Sequence, residues 1–167
     1  EALEIFARFL PIDVLHTPFW KNMRFCFNQR FLRSTGGLFL LRLLKSVIFE
    51  RFARKRKISD AVLWEAIKRA ETGLIDADLG GGVIKQRVAR EGEGKRGAFR
   101  TIVIFRSGER AFFVYGFAKS KQANIQQDEK AALKKLAPYL LNMPDEKLNA
   151  LIADGSYMEV TENGPTV

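Results

Sequence analysis

The stretch from Val83 to Lys121, VIKQRVAREGEGKRGAFRTIVIFRSGERAFFVYGFAKSK, decides the fold that the sequence predicts. It contains three apolar runs, which are separated by the glycine-rich segment 91–97 and by the short turn 106–109. Such runs joined by turn residues are typical of antiparallel strands linked by hairpins. The third run, residues 111–118, is almost wholly apolar and aromatic. It therefore suits a central strand that is covered on both faces.

Basic side chains recur along these predicted strands. Residues 85–121 hold ten Lys or Arg against three Glu, which is a net +7 of the chain's +9. Because side chains alternate between the two faces of a strand, Lys85 and Arg87 share one face of the first strand, and Arg100 stands near the start of the second. Charge that clusters on one sheet favours nucleic acid as the partner. A membrane-surface helix and an ordinary solvated surface are the alternatives.

The composition limits the class of protein. A chain of 167 residues with 47% hydrophobic content suits one globular domain. The only cysteine, Cys26, cannot form an internal disulfide, and the only histidine, His16, gives little support to a histidine triad. Arg42 and Lys45 interrupt the apolar run at 38–49, which is too short to span a membrane. With no signal-peptide pattern, we predict a cytoplasmic protein that uses no membrane, metal or cofactor.

Helical and strand-like patterns flank the central stretch. Residues 43–49 favour a further strand, 74–82 a loop, and 157–160 a short edge strand. Helices are predicted at 50–57, 58–73, 124–137 (where Pro138 stops the helix) and 144–154. This order predicts the α+β class, with helices packed on one face of a small antiparallel sheet and the other face left for a ligand.

The chain is predicted to have three parts. Residues 42–160 form the working domain, and 161–167 form a disordered tail. Residues 1–41 are an N-terminal extension of uncertain status, because they are irregular, aromatic and interrupted by prolines and by a glycine pair.

Two segments resemble a known family. The stretch GLIDADLGGGVIKQRVAREGEGKRGAFRTIVIF at 73–105 and the later YGFAKSKQANI at 115–125 are similar to the HigB branch of the RelE/ParE toxins of bacterial toxin-antitoxin pairs. The resemblance covers about residues 43–160. It implies the RelE/ParE-like toxin fold and an endoribonuclease, or mRNA interferase, that enters the ribosomal decoding site, cuts mRNA and so inhibits translation. The implied partner is a HigA-like antitoxin with a helix-turn-helix domain. The toxin would contact DNA only through this antitoxin.

The resemblance also implies a set of functional residues. Cleavage of RNA without a metal needs the 2′-hydroxyl deprotonated, the charge on the phosphate stabilised and the leaving 5′-oxygen protonated. The basic residues that match the family's catalytic positions are Lys85, Arg87 and Arg100, with phosphate binding alone or plain surface exposure as the alternatives. The general acid and base stay open, because Ser120 and Gln126 stand near the places of the Arg and Tyr found in the founding toxin. The predicted RNA contacts are Arg90, Lys95, Arg96, Lys119, Lys121 and Tyr115, although a tyrosine in an apolar strand more often belongs to the core.

The segment before the sheet also contains polar residues. Asp76 and Asp78 could be viewed as metal ligands, but two carboxylates in a turn more often cap the backbone or face solvent. The run Gly80-Gly81-Gly82 lacks the Lys and Ser/Thr of a phosphate-binding loop, so we interpret it as a flexible entry to the sheet. A second class of function stays open: a non-catalytic inhibitor with the toxin fold that binds RNA or a protein, for example a gyrase-inhibiting ParE-like protein.

Overall fold

A computed structural model describes residues 41–89, 97–118 and 125–162. Within these ranges the chain forms ten elements in the order β1 Arg42–Ser46, α1 Val47–Lys55, α2 Asp60–Glu71, β2 Ala77–Gly80, β3 Val83–Val88, β4 Phe99–Arg106, β5 Arg110–Ala118, α3 Gln127–Leu141, α4 Asp145–Ala153 and β6 Tyr157–Glu159. The strands form one sheet in the order β2-β3-β4-β5-β1-β6. No helix in the described ranges is long and apolar enough to cross a membrane.

The predicted α+β class and the three strands of the central stretch are confirmed, but two details of the architecture differ. The sheet is mixed, because β1 runs parallel to β5 while the other neighbours are antiparallel. The helices also lie on both faces of the sheet. In β4, Ile102 and Ile104 pack in a buried cluster with residues of α3 and α4, whereas Phe99 and Val103 pack in a second cluster with residues of α1 and α2. Alternate apolar residues of β4 thus belong to two hydrophobic cores, one on each face of the sheet.

The first strand and helix meet at Ser46. The predicted strand at 43–49 ends there, because the Ser46 side chain accepts a hydrogen bond from the backbone N of Phe49 at 3.2 Å and caps α1. Phe49 therefore lies in a helix and packs on Phe113 with ring centroids 5.0 Å apart. The predicted loop at 74–82 is also partly wrong, since Ala77–Gly80 forms the edge strand β2.

Pro138 does not end its helix, because α3 continues to Leu141. Proline has no N–H to bond the carbonyl of Lys134, which costs one helical hydrogen bond. Pro138 itself stands in the last turn, whose own carbonyl groups need partners from outside the helix. Arg106 donates to the Leu141 carbonyl at 3.1 Å, and Arg110 donates to the carbonyl of Met143 just beyond the helix at 2.5 Å. Two cations from the β4–β5 hairpin thereby compensate the end of α3.

A largely buried ion cluster joins β1 to the two helices on one face. The Nζ of Lys45 lies 2.9 Å from Glu50 Oε2 and 2.7 Å from Asp60 Oδ1. Glu50 is in the first turn of α1 and Asp60 in the first turn of α2, where a negative charge suits the helix dipole. One lysine therefore fixes the starts of both helices against the sheet.

This ion cluster gives the stability of the fold a defined pH dependence. Burial raises the pKa of Glu50, but the hydrogen bonds and charges of Lys45 and Arg54 outweigh burial and hold that pKa below its ordinary 4.5. A carboxyl pKa that is lowered in the folded state adds stability above pH 4.5, and this is lost as the pH falls through the folded-state value. We expect the free energy of unfolding, measured by urea titration, to fall between about pH 5 and about pH 3. Glu50→Gln should remove part of that fall, and an equal fall in the variant would contradict this origin.

Candidate functional site

The β3–β4 pair brings the predicted catalytic cations together. In the antiparallel register Arg87 stands directly opposite Arg100, and Lys85 stands opposite Ile102. Residues that are directly opposite project from the same face, so the three cations share the face on which Ile102 contacts the α3 cluster. Two like charges facing each other across a strand pair repel. This juxtaposition therefore needs a compensating group.

Asp76 supplies that group. Its Oδ1 accepts a hydrogen bond from Arg87 Nε at 2.5 Å, and its Oδ2 lies 2.9 Å from Arg100 Nε. The side chains of Asp76 and Arg100 are 13% and 12% exposed, whereas that of Arg87 is 43% exposed. The centre of the site is therefore a carboxylate between two guanidinium groups, with one arginine largely buried and the other open to solvent.

Backbone and buried side-chain bonds hold this arrangement in place. The backbone N of Asp76 donates to the Lys85 carbonyl at 3.1 Å, which attaches the start of the edge strand to β3. The buried Gln86 side chain donates to the carbonyls of Ala66 at 2.7 Å and Leu74 at 3.2 Å, which ties α2 and the segment before Asp76 to β3. Thr101 donates from its hydroxyl to the Gln86 carbonyl at 3.0 Å. These bonds hold β3, which carries Arg87, against the Asp76 segment, α2 and β4, which carries Arg100.

Lys85 and Tyr115 lie in one row across the sheet. Lys85 pairs with Ile102, and Ile102 pairs in turn with Tyr115. Tyr115 is partly buried, packs against the α3 cluster and lies 6.0 Å from the Phe117 ring by centroids. The structure thus gives Tyr115 core contacts on the face that carries the cations. Its role in RNA binding stays a prediction.

The other predicted RNA contacts are Arg90, Lys95, Arg96, Lys119 and Lys121, and all five lie outside the described residues. Two cations of the central stretch, Arg106 and Arg110, are engaged at the opposite end of β4 and β5, where they bond the end of α3. The basic residues of β3, β4 and β5 therefore divide into a structural pair, Arg106 and Arg110, at one end and the Lys85, Arg87 and Arg100 group at the other.

The two aspartates of the entry segment have different roles. Asp78 accepts a hydrogen bond from the backbone N of Gly80 at 2.7 Å, which agrees with the predicted turn contact. Asp76 was missed as a site residue by the sequence reasoning, because it precedes a short strand with no periodic pattern. No group of three or more His, Cys, Asp or Glu in the described ranges could hold a metal ion.

The pair of arginines can bind a phosphate group. A guanidinium presents planar, permanently charged donors that match phosphate oxygens, and hydrogen bonds between charged groups are the stronger ones. Two such groups side by side can contact different oxygens of one phosphodiester and stabilise charge that develops on it. The half-exposed Arg87 gives the ligand access to this corner of the sheet.

Comparison with protein families places this chain in a known group. The profile described as the RelE toxin of the RelE/RelB toxin-antitoxin system matches residues 41–160, which include every described strand and helix. The chain belongs to the RelE toxin family. As a RelE-family toxin it is one component of a toxin-antitoxin system, and it has an antitoxin as its partner. A search of curated proteins finds no match to this RelE-family chain.

Proposed function

We propose that this RelE-family toxin is a ribosome-dependent mRNA endonuclease, an mRNA interferase that acts in the cytoplasm and inhibits translation. The observation that carries the proposal is the pairing of Arg87 and Arg100 across β3 and β4 at a partly open corner of the sheet. RelE-family membership and the net +9 charge of the chain agree with an RNA substrate.

The proposed roles follow from the position of each cation. Arg100, which is largely buried, contacts the scissile phosphate and stabilises the charge that develops in the transition state. Arg87, which is more exposed, binds the same phosphate and guides the strand into the site. Lys85, two residues earlier on the same face, adds a compact positive charge beside them. These side-chain cations do the work that a metal ion does in other nucleases.

The proposed antitoxin is HigA-like, with a helix-turn-helix domain that supplies all contact with DNA. The physical reason for this proposal is the positive charge of the Lys85, Arg87 and Arg100 group, which attracts an acidic segment of a partner. Co-purification with the product of the adjacent reading frame tests this part of the proposal.

The proposal is tested with ribosomes programmed with a defined mRNA and incubated with purified toxin. We expect cuts within the reading frame on ribosome-bound mRNA, mapped by primer extension, and much weaker cutting of the same RNA when it is free. Salt-dependent RNA binding with no cut product would instead show a non-catalytic inhibitor with the toxin fold. Intact mRNA together with inhibited DNA supercoiling would show a gyrase inhibitor.

A further inference from the structure

We propose that Asp76 is a positioning residue of this site. Its carboxylate holds the Nε atoms of Arg87 and Arg100 and so presets both guanidinium groups for one phosphate. The inference rests on the proposed function for its catalytic consequence. Its structural part, that Asp76 fixes the two arginines, stands on the contacts alone.

The register of the sheet explains why such a residue is needed. Arg87 and Arg100 are directly opposite each other, and residues in that relation have Cβ atoms only about 4.5–5.5 Å apart. Without a counter-charge their long side chains would separate to reduce repulsion. Asp76 removes one of the two net positive charges and attracts both arginines to the same point.

The atoms used by Asp76 leave the ends of the arginines available. Within the described part of the chain, the closest contact of each arginine with Asp76 is made by Nε, from Arg87 to Oδ1 and from Arg100 to Oδ2. An arginine contacts a phosphate most favourably through two parallel N–H groups, and the two Nη atoms of each side chain can provide them. A phosphate can therefore bind both arginines while Asp76 stays in place.

Asp76 is itself well fixed. Its side chain is 13% exposed, and its backbone N bonds the Lys85 carbonyl one residue before the edge strand. Because these contacts form during folding, the two guanidinium groups are ordered before a substrate arrives. Both carboxylate oxygens are engaged by arginine, which distinguishes this role from that of a general base with a free oxygen.

The first experiment measures single-turnover cleavage of ribosome-bound mRNA by Asp76→Asn, Asp76→Glu and the control Asp78→Asn. We expect Asp76→Asn to lower the rate about 10- to 100-fold at every pH while affinity for uncut RNA is kept or increased, because positioning is lost and a negative charge is removed. Asp76→Glu should restore part of the rate. Asp78→Asn makes the same charge change two residues further along the chain, in β2, and should cut like the wild type.

The second experiment needs no activity. Exchange of the Nε protons of Arg87 and Arg100 with water, followed by NMR, should be slow in the wild type and fast in Asp76→Asn, with thermal unfolding confirming that the variant is folded. Unchanged exchange, or wild-type cleavage by Asp76→Asn, would overturn the inference. Loss of the acidic limb of the pH-rate profile would overturn it in favour of a general base. A wild type that holds both Nε protons but cuts no mRNA would refute the proposed function and leave Asp76 as a structural residue only.

Discussion

Replacing Arg100 by alanine is expected to lower the rate of mRNA cleavage on the ribosome by about 10²–10³-fold, the usual effect of removing one preorganised donor to transition-state charge. Arg100 is the largely buried member of the arginine pair, so its charge is less weakened by solvent than that of Arg87. The loss should fall on the single-turnover rate more than on RNA affinity, because the remaining cations still bind the RNA backbone.

Two further variants make this test specific. Arg100→Lys keeps the charge but loses the planar fork, and it should cut at a rate between those of the wild type and Arg100→Ala. Arg51→Ala removes a charge of the same sign from an exposed position on α1 and should leave the rate unchanged. If Arg100→Ala is folded and cuts as fast as Arg51→Ala, the proposed chemistry at this corner of the sheet is wrong.

Much of the sheet could be predicted from the sequence, because alternate residues of a strand project from opposite faces and the position of each residue therefore gives its face. Lys85 and Arg87 had to share a face, and the short turn at 106–109 had to pair β4 with β5. The exact opposition of Arg87 and Arg100 follows from the register of β3 and β4. That register could not be read from the sequence, because the connecting segment 89–98 is too long and too rich in glycine to fix it.

The role of Asp76 could not be predicted from the alternation of side chains along a strand. Asp76 lies at the entry to a four-residue edge strand whose register shifts between Asp78 and Gly80, so no alternation of apolar and polar residues points to its position. The signal that could have found it is electrostatic: two arginines predicted on one face need a nearby carboxylate. Asp76 and Asp78 were the acidic residues closest to them before β3.

The placement of helices on both faces was missed for a related reason. The run at 43–49 is apolar enough for a strand, and only the cap that Ser46 gives to Phe49 shows where the helix begins. The almost wholly apolar β5 already indicated cover on both faces, and its buried residues do belong to both clusters. As a consequence, Lys85, Arg87 and Arg100 lie on the face of the sheet that α3 partly covers, near the end of β3, and not on a wholly open face.

Replacing Lys45 by methionine is expected to lower the free energy of unfolding by about 3 kcal/mol, the lower end of the range for breaking a buried ion pair. Lys45, Glu50 and Asp60 are only 13–17% exposed, so the variant leaves two carboxylates close together with little solvent to screen them. The starts of α1 and α2 would then repel each other at the point where both meet β1. Urea titration at neutral pH measures the change.

The matched control for Lys45→Met is Lys68→Ala, which breaks a lysine–carboxylate pair with Glu162 in which both side chains are more than half exposed. Solvent-exposed pairs contribute little to stability, so this control should unfold at the wild-type urea concentration. The double variant Lys45→Met/Glu50→Gln should be less destabilised than the sum of the two single variants, because it removes one of the carboxylates left without its cation. Equal midpoints for Lys45→Met and Lys68→Ala would show that burial gives the Lys45 cluster no special weight in holding both helices on the sheet.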